Sequence, residues 1–395
     1  MAITSLFLPP TLRRPIPYAP RDHLRREQAI ALYEGGDHIG GINEAIAYLL
    51  LPGQPQPDLA RGPLCLVQGT ARLRLHIDDG RLRGRAVLGE LGDGSGTTAA
   101  LRHFLASVSG TGQLYQPRLR DNVVALEFDE RLTLLHPLKL IEVVQRMAEA
   151  ACNADAWLEE DFGMRMVDRE PAQPLAPEEV RQAIAIWHAH WAAVDAMVDE
   201  IRRQRSGHLL NRVADFAYSL IVHALPLNGV LPERLHDASG IYGNQDEQPA
   251  RRLAVLAKSV KEARALSDDE LAANLGQVTY AINPISEGNA GLLAKVLGGR
   301  EREQAIADYQ AAGRSFELAL FQAVDFIYLM AWFVWPPAVE AALNEALAQA
   351  SGLPLREAAE ILRTRAAAIL REFGHPDDGA NGEGAQPSAF AGARQ

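Results

Sequence analysis

The sequence predicts an α+β protein: an N-terminal antiparallel sheet covered by helices, followed by an all-α domain. Three observations carry this. Two hairpins between residues 71 and 129 each have one apolar and one polar face, the mark of an antiparallel sheet covered on one side. Helical apolar spacing flanks them. Beyond about residue 171 no alternating strand pattern remains.

Residues 1–20, MAITSLFLPPTLRRPIPYAP, lack the charged-then-apolar order of a signal peptide, and their prolines predict an extended arm. Residues 21–52 have helical spacing through Ala29, Ile30, Leu32, Tyr33, Ile42, Ala45, Ile46, Leu49 and Leu50, with Gly-Gly at 35–36 and 40–41 as potential breaks. A proline-rich linker follows, then a short strand at 64–69.

The hairpin LRLHIDDGRLRGRAV, residues 73–87, turns at Asp79-Gly80, a type I′ signal because both central positions need positive φ. That turn pairs Asp78 with Arg81, Ile77 with Leu82, His76 with Arg83, Leu75 with Gly84, Arg74 with Arg85 and Leu73 with Ala86. Strand side chains alternate, so Leu73, Leu75, Ile77, Leu82 and Ala86 share one face. Arg74, His76, Arg81, Arg83 and Arg85 share the other, a candidate binding face for an acidic segment, including the chain's own tail at Asp377 and Asp378. Glu127 on the second hairpin is expected to offset one of these charges; acids from neighbouring strands, or a simply solvated face, are the alternatives.

GDGSG at 92–96 lacks the spacing of a phosphate loop and reads as a capped helix start at Ser95 or Thr97. A helix follows to about 109. The second hairpin turns at Asp121-Asn122 and pairs Leu119 with Val124 and Pro117 with Leu126, which predicts Leu119, Val124 and Leu126 beneath the helical cover. His136 before Pro137 fits a helix cap, and the helix from 137 to about 160 carries the stripe Leu138, Ile141, Val144, Met147 and Ala151.

PAQPLAPEE, residues 171–179, marks a boundary. Helices are expected at 177–204, 209–224, 249–265, 268–280, 288–297, 300–335, 337–351 and 354–373. The expected domains are therefore an arm at 1–20, an α+β domain at 21–165, an all-helical domain at 171–373 and a disordered tail at 374–395, rich in Gly, Ala, Asp and Pro.

The chain has 395 residues and a formal net charge of −11. An acidic chain argues against nucleic acid as a partner. Its two cysteines, Cys65 and Cys152, build neither a disulfide framework nor a CxxC metal site, which points to a reducing, cytoplasmic setting. WHAHW, residues 187–191, offers two histidines two positions apart. On a helix they diverge by about 200°, so no shared metal is expected; Trp187 and Trp191 belong to a core stripe. The segment 316–335 carries Glu317, Gln322 and Asp325, and its uninterrupted apolar run of 326–335 is too short for a bilayer of about 30 Å. It reads as a buried helix. Asp325 within it is a candidate buried functional acid, with Arg363, Arg365 or Arg371 as expected partners. No cofactor is expected.

The order helix, three strands, helix, two strands, helix over residues 21–165 rests on HIDDGRLRGRAVL, TTAALRHFLASVSGTG, LRDNVVALEFDERL and HPLKLIEVVQRMAEAACNADAWLEEDFG. It resembles the secretion-chaperone-like fold of bacterial type III secretion chaperones of the Tir-chaperone kind and of YbjN-type proteins. The resemblance implies a non-enzymatic, often homodimeric module that clamps extended peptide segments. The expected function is a cytoplasmic protein-binding adaptor. An enzyme with its site around Asp325, Glu287 and His223, and a membrane-surface or lipid-handling protein using residues 326–335, are the competing readings.

Overall fold

The computed structural model describes residues 3–374, apart from 93, 95, 109–113, 155, 205 and 244–246. Two apolar cores organise the chain. One lies between a six-stranded sheet and its covering helices, and the other is built from helices together with the N-terminal arm.

Helices α1 (His23–Glu34) and α2 (His38–Leu49) start where Asp22 and Asp37 accept hydrogen bonds from the first free amides. The turn between them uses Gly36 at φ +90°. The second glycine pair does not break the helix. A Cβ at Gly41 would meet the Ala29 carbonyl at 2.8 Å, so this glycine lets α1 and α2 approach closely.

Strands β1 (Leu64–Gly69), β2 (Ala71–Asp78) and β3 (Arg81–Glu90) lead to α3 (Gly96–Val108). At the start of α3, Thr97 Oγ1 donates to the Gly92 carbonyl at 2.5 Å; Ser95 lies outside the described residues. Then come β4 (Gln116–Arg120), β5 (Val123–Arg131), α4 (Pro137–Asn153) and α5 (Trp157–Phe162). The β2–β3 register is the one the Asp-Gly turn requires, from Asp78 opposite Arg81 to Leu73 opposite Ala86. Asp79, Gly80, Asp121 and Asn122 all have positive φ, as type I′ turns demand. Helices α2 and α4 pack against each other, and α4 lies over β1, β2 and β3. Leu73, Leu75, Leu82, Ala86, Val124 and Leu126 are buried there with Leu140, Val144, Met147 and Ala151. Two expected members fall outside. Leu119 is 47% exposed on the outermost strand β4, and Leu138 is equally exposed at the start of α4. Ile77, at the hairpin tip, is only half-buried.

The second half contains α6 (Pro177–Gln204), α7 (Leu210–Ala224), α8 (Leu231–Gly243), α9 (Pro249–Ala265) and α10 (Asp268–Ala273). The strands β6 (Thr279–Tyr280) and β7 (Ser286–Glu287) follow, then α11 (Ala290–Gly298), α12 (Arg300–Ala311) and α13 (Ser315–Trp332). Strand β8 (Phe333–Val334), α14 (Pro337–Ala350) and α15 (Leu355–Phe373) complete it. Helix α13 is the hub, packed against α7, α12, α14 and α15. It is long and apolar enough to cross a membrane, with mean hydropathy 1.2, but 67% of that window is buried inside the protein.

Three expectations for this half are corrected. The helix expected over 268–280 ends at Ala273, because Asn274 leaves the helix and its side-chain oxygen accepts from the Val230 amide. The chain then forms β6, which pairs antiparallel with β1 and completes the sheet in the order β4-β5-β3-β2-β1-β6. The single helix expected over 300–335 is α12 and α13, separated at Gly313 (φ +67°). Helix α8 is additional to the expected helices; Pro232 and Gly240 weaken its pattern.

The arm is extended, as its prolines predict, but it is no separate element. Leu6 and Leu8 are 0% and 3% exposed within the helical core.

Candidate functional site

Asp325 sits on α13 and is 7% exposed. Its partners are Arg302 of α12, whose Nε donates to Oδ2 at 2.8 Å, and Arg212 of α7, whose Nη1 donates to Oδ1 at 3.3 Å. None of the expected C-terminal arginines takes this place: Arg363 pairs with Glu360 and Arg365 with Glu345. The Arg212 guanidinium also lies 4.3 Å from the centre of the Phe321 ring. Burial pushes the Asp325 carboxyl above its ordinary pKa, and the two guanidiniums pull it back. Both carboxylate oxygens are engaged, so the acid bridges three helices.

The basic hairpin face is answered within the fold. Arg74 binds Asp168, Arg81 binds Asp129 at 2.5 Å, Arg83 binds Asp78 at 2.5 Å and reaches Asp129 at 3.6 Å, and Arg85 lies 3.7 Å from Glu127. Neighbouring Arg72 binds Glu170 at 2.6 Å. Strand β5 and the segment after α5 supply the acids, Asp129 and Asp168 in addition to the expected Glu127. His76 is half-buried in this face. The tail residues Asp377 and Asp378 lie outside the described residues.

The histidines of WHAHW diverge as helix geometry requires. His188 meets Asp268 at 2.7 Å on the surface, whereas His190 is fully buried with Nε2 2.7 Å from the Ala217 carbonyl oxygen. Burial lowers His190 to about 4, a shift its carbonyl partner opposes. Trp187 and Trp191 pack edge-on, 5.6 Å between ring centres. Among the described residues no cluster of three or more metal-ligating side chains occurs. His136 caps α4, its Nδ1 accepting from the Leu138 amide.

The site that sequence reasoning missed is a cavity of about 200 Å³ where the arm crosses the helical half. The arm contributes Thr11, Arg13, Arg14 and Ile16; α7 contributes His223; α14 contributes Glu340 and Asn344. Met330, Phe333, Trp335 and Ile285 form an apolar wall. The arm is pinned on either side of it. The amides of Leu12 and Arg13 both donate to the Ala224 carbonyl, the Arg14 amide donates to Gln277 Oε1, and Thr11 Oγ1 lies 3.0 Å from His223 Nε2. Loss of water lowers the Arg13 guanidinium below its ordinary pKa, with Tyr280 and Glu340 opposing. Burial raises the Glu340 carboxyl, and Arg13 opposes. His223 falls to about 3 through burial and then the Arg13 charge.

Of the three residues in the enzyme reading, His223 lines the cavity, Glu287 stands two positions beyond its wall residue Ile285, and Asp325 lies elsewhere. The arm's basic pair, Arg13-Arg14 inside a proline-rich apolar stretch, was the signal available in the sequence. Compared with known proteins, the chain matches no family model, no curated protein and no solved structure.

Proposed function

We propose that this chain is a non-enzymatic protein-binding adaptor that holds an extended segment of a partner along its helical half. One observation supports this most directly: the helical half already grips an extended peptide, its own arm. The Thr4 carbonyl accepts from the Leu355 amide at 3.0 Å, the Leu6 carbonyl from the Gly352 amide at 2.8 Å, and the Leu8 amide donates to Ser351 Oγ at 3.0 Å. Leu6 and Leu8, two positions apart, point into the core. Backbone hydrogen bonds give affinity for any extended chain, and pockets for alternate side chains give selectivity. The chaperone-like order of residues 21–165 agrees with a holding role. The enzyme reading is weaker, because Asp325 has both oxygens committed to arginines.

The test is to insert a protease site between the exposed prolines Pro17 and Pro20, cut it in the folded protein, and offer a labelled peptide of residues 3–16. Exchange of the peptide for the cut arm, followed by anisotropy, is expected. It should disappear with a peptide carrying Leu6→Asp and Leu8→Asp. An arm that leaves after cutting, with no peptide taking its place, sinks the reading.

A further inference from the structure

We propose that the cavity beneath the arm binds a small zwitterion, an α-amino acid with an apolar side chain, its carboxylate on Arg13 and its ammonium on Glu340. The two charged side chains come from opposite walls, the arm and α14, and both line the cavity. No ion pair joins the two among the described residues, and the charge of each reaches the other only through space. Loss of water disfavours both charged forms while each supports the other through space. A ligand carrying one charge of each sign relieves both strains at once, whereas a simple anion or a simple amine relieves one and repels the other. A charge taken from water needs a partner.

The remaining lining fits the same ligand. Met330, Phe333 and Trp335 offer an apolar surface for a side chain. Thr11 and Asn344 add neutral hydrogen-bonding groups near the charged pair, and His223, held at about 3, stays uncharged at neutral pH and does not disturb the balance. The volume of about 200 Å³ far exceeds the ~10–15 Å³ that one water needs. It is below the ~300–1,000 Å³ of sites for drug-sized ligands. That size suits one amino acid. Because Arg13 belongs to the arm, the ligand would bridge the arm to α14 and hold the arm down. This inference does not depend on the adaptor reading.

The experiment uses the full chain, titrated with leucine, methionine and phenylalanine by calorimetry and by thermal shift. Each is compared with the analogue lacking the amino group and the analogue lacking the carboxylate. Saturable binding of the amino acids is expected. Either single-charge analogue, and either Arg13→Gln or Glu340→Gln, should weaken it about tenfold or more, ~1.4 kcal/mol. Glu340→Gln sits at the half-buried start of α14 and keeps the assay readable if Arg13→Gln loosens the arm. Bound amino acid should also slow amide exchange at residues 11–14. The proposal is overturned if no amino acid binds at millimolar concentration, if inorganic phosphate or a single-charge analogue binds as tightly, or if both variants bind like the parent.

Discussion

Asp325 ties α13 to α12 and α7, so its removal leaves Arg302, 7% exposed, with only the exposed Glu303 carboxylate, 3.0 Å from Nη1, as counter-ion. Breaking such a pair costs about 3–5 kcal/mol. Asp325→Ala should therefore lower the melting temperature clearly, whereas Asp325→Ala combined with Arg302→Leu should recover part of the loss. The acid's burial was legible from its apolar neighbours. Its partner was not, because a continuous helix over 300–335 would place Arg302 about 35 Å from Asp325. Only the reversal at Gly313 brings them together. His190 gives a second test at this scale. Its folded pKa of about 4 lies below the ordinary 6.5. Between those values the unfolded chain takes up a proton that the folded chain refuses, so stability falls as pH falls. From pH 7 to 5 the loss from this residue is about 2 kcal/mol, and His223, at about 3, adds to the same slope. Urea midpoints at the two pH values measure it. His190→Asn should flatten the dependence, and an unchanged slope would show that another group sets it.

Helix and strand boundaries depend on a few special positions. Gly313 sits at φ +67°, and a Cβ added there would meet nothing within 4 Å. Gly313→Ala therefore meets only the left-handed backbone cost, about 1–2 kcal/mol. Gly313→Asn should cost less, since Asn tolerates that region. Chemical denaturation of the pair separates the conformational cost from a packing one. Strand β6 is secured by a side chain. Gln68, 3% exposed, donates from Nε2 to the Ile282 carbonyl and accepts at Oε1 from the Ile282 amide, both at 3.0 Å. Gln68→Leu would leave two buried backbone groups unpaired, at about 1–3 kcal/mol each, a loss that denaturant midpoints would read. The hairpins were legible because an Asp-Gly or Asp-Asn turn sets a register that alternation then checks. Strand β6 was not, because two residues carry no period and the pairing reaches back 210 positions or so in the chain, a range no local pattern encodes.

At the scale of the whole molecule, the linear order of segments differs from the order of packing. The sheet expected within residues 21–165 takes its last strand from residues 279–280, and Arg72 and Arg74 take their acids from residues 168 and 170. A fragment of residues 21–165 lacks both. It should melt below the full chain and expose the free edge of β1, an invitation to strand pairing between copies. Calorimetry and light scattering on the two proteins test this, and a fragment as stable and monomeric as the full chain would show the borrowed strand to be dispensable. The arm has a further consequence, one of timing. Leu8 bonds to a residue 343 positions downstream. At synthesis rates of ~5–20 residues per second, Leu6 and Leu8 wait roughly 20–70 s for Ser351 and Gly352 to be made. Throughout that interval the two leucines are a short apolar segment of a nascent chain without their native partners, so the newborn protein is itself a client for whatever shields such segments.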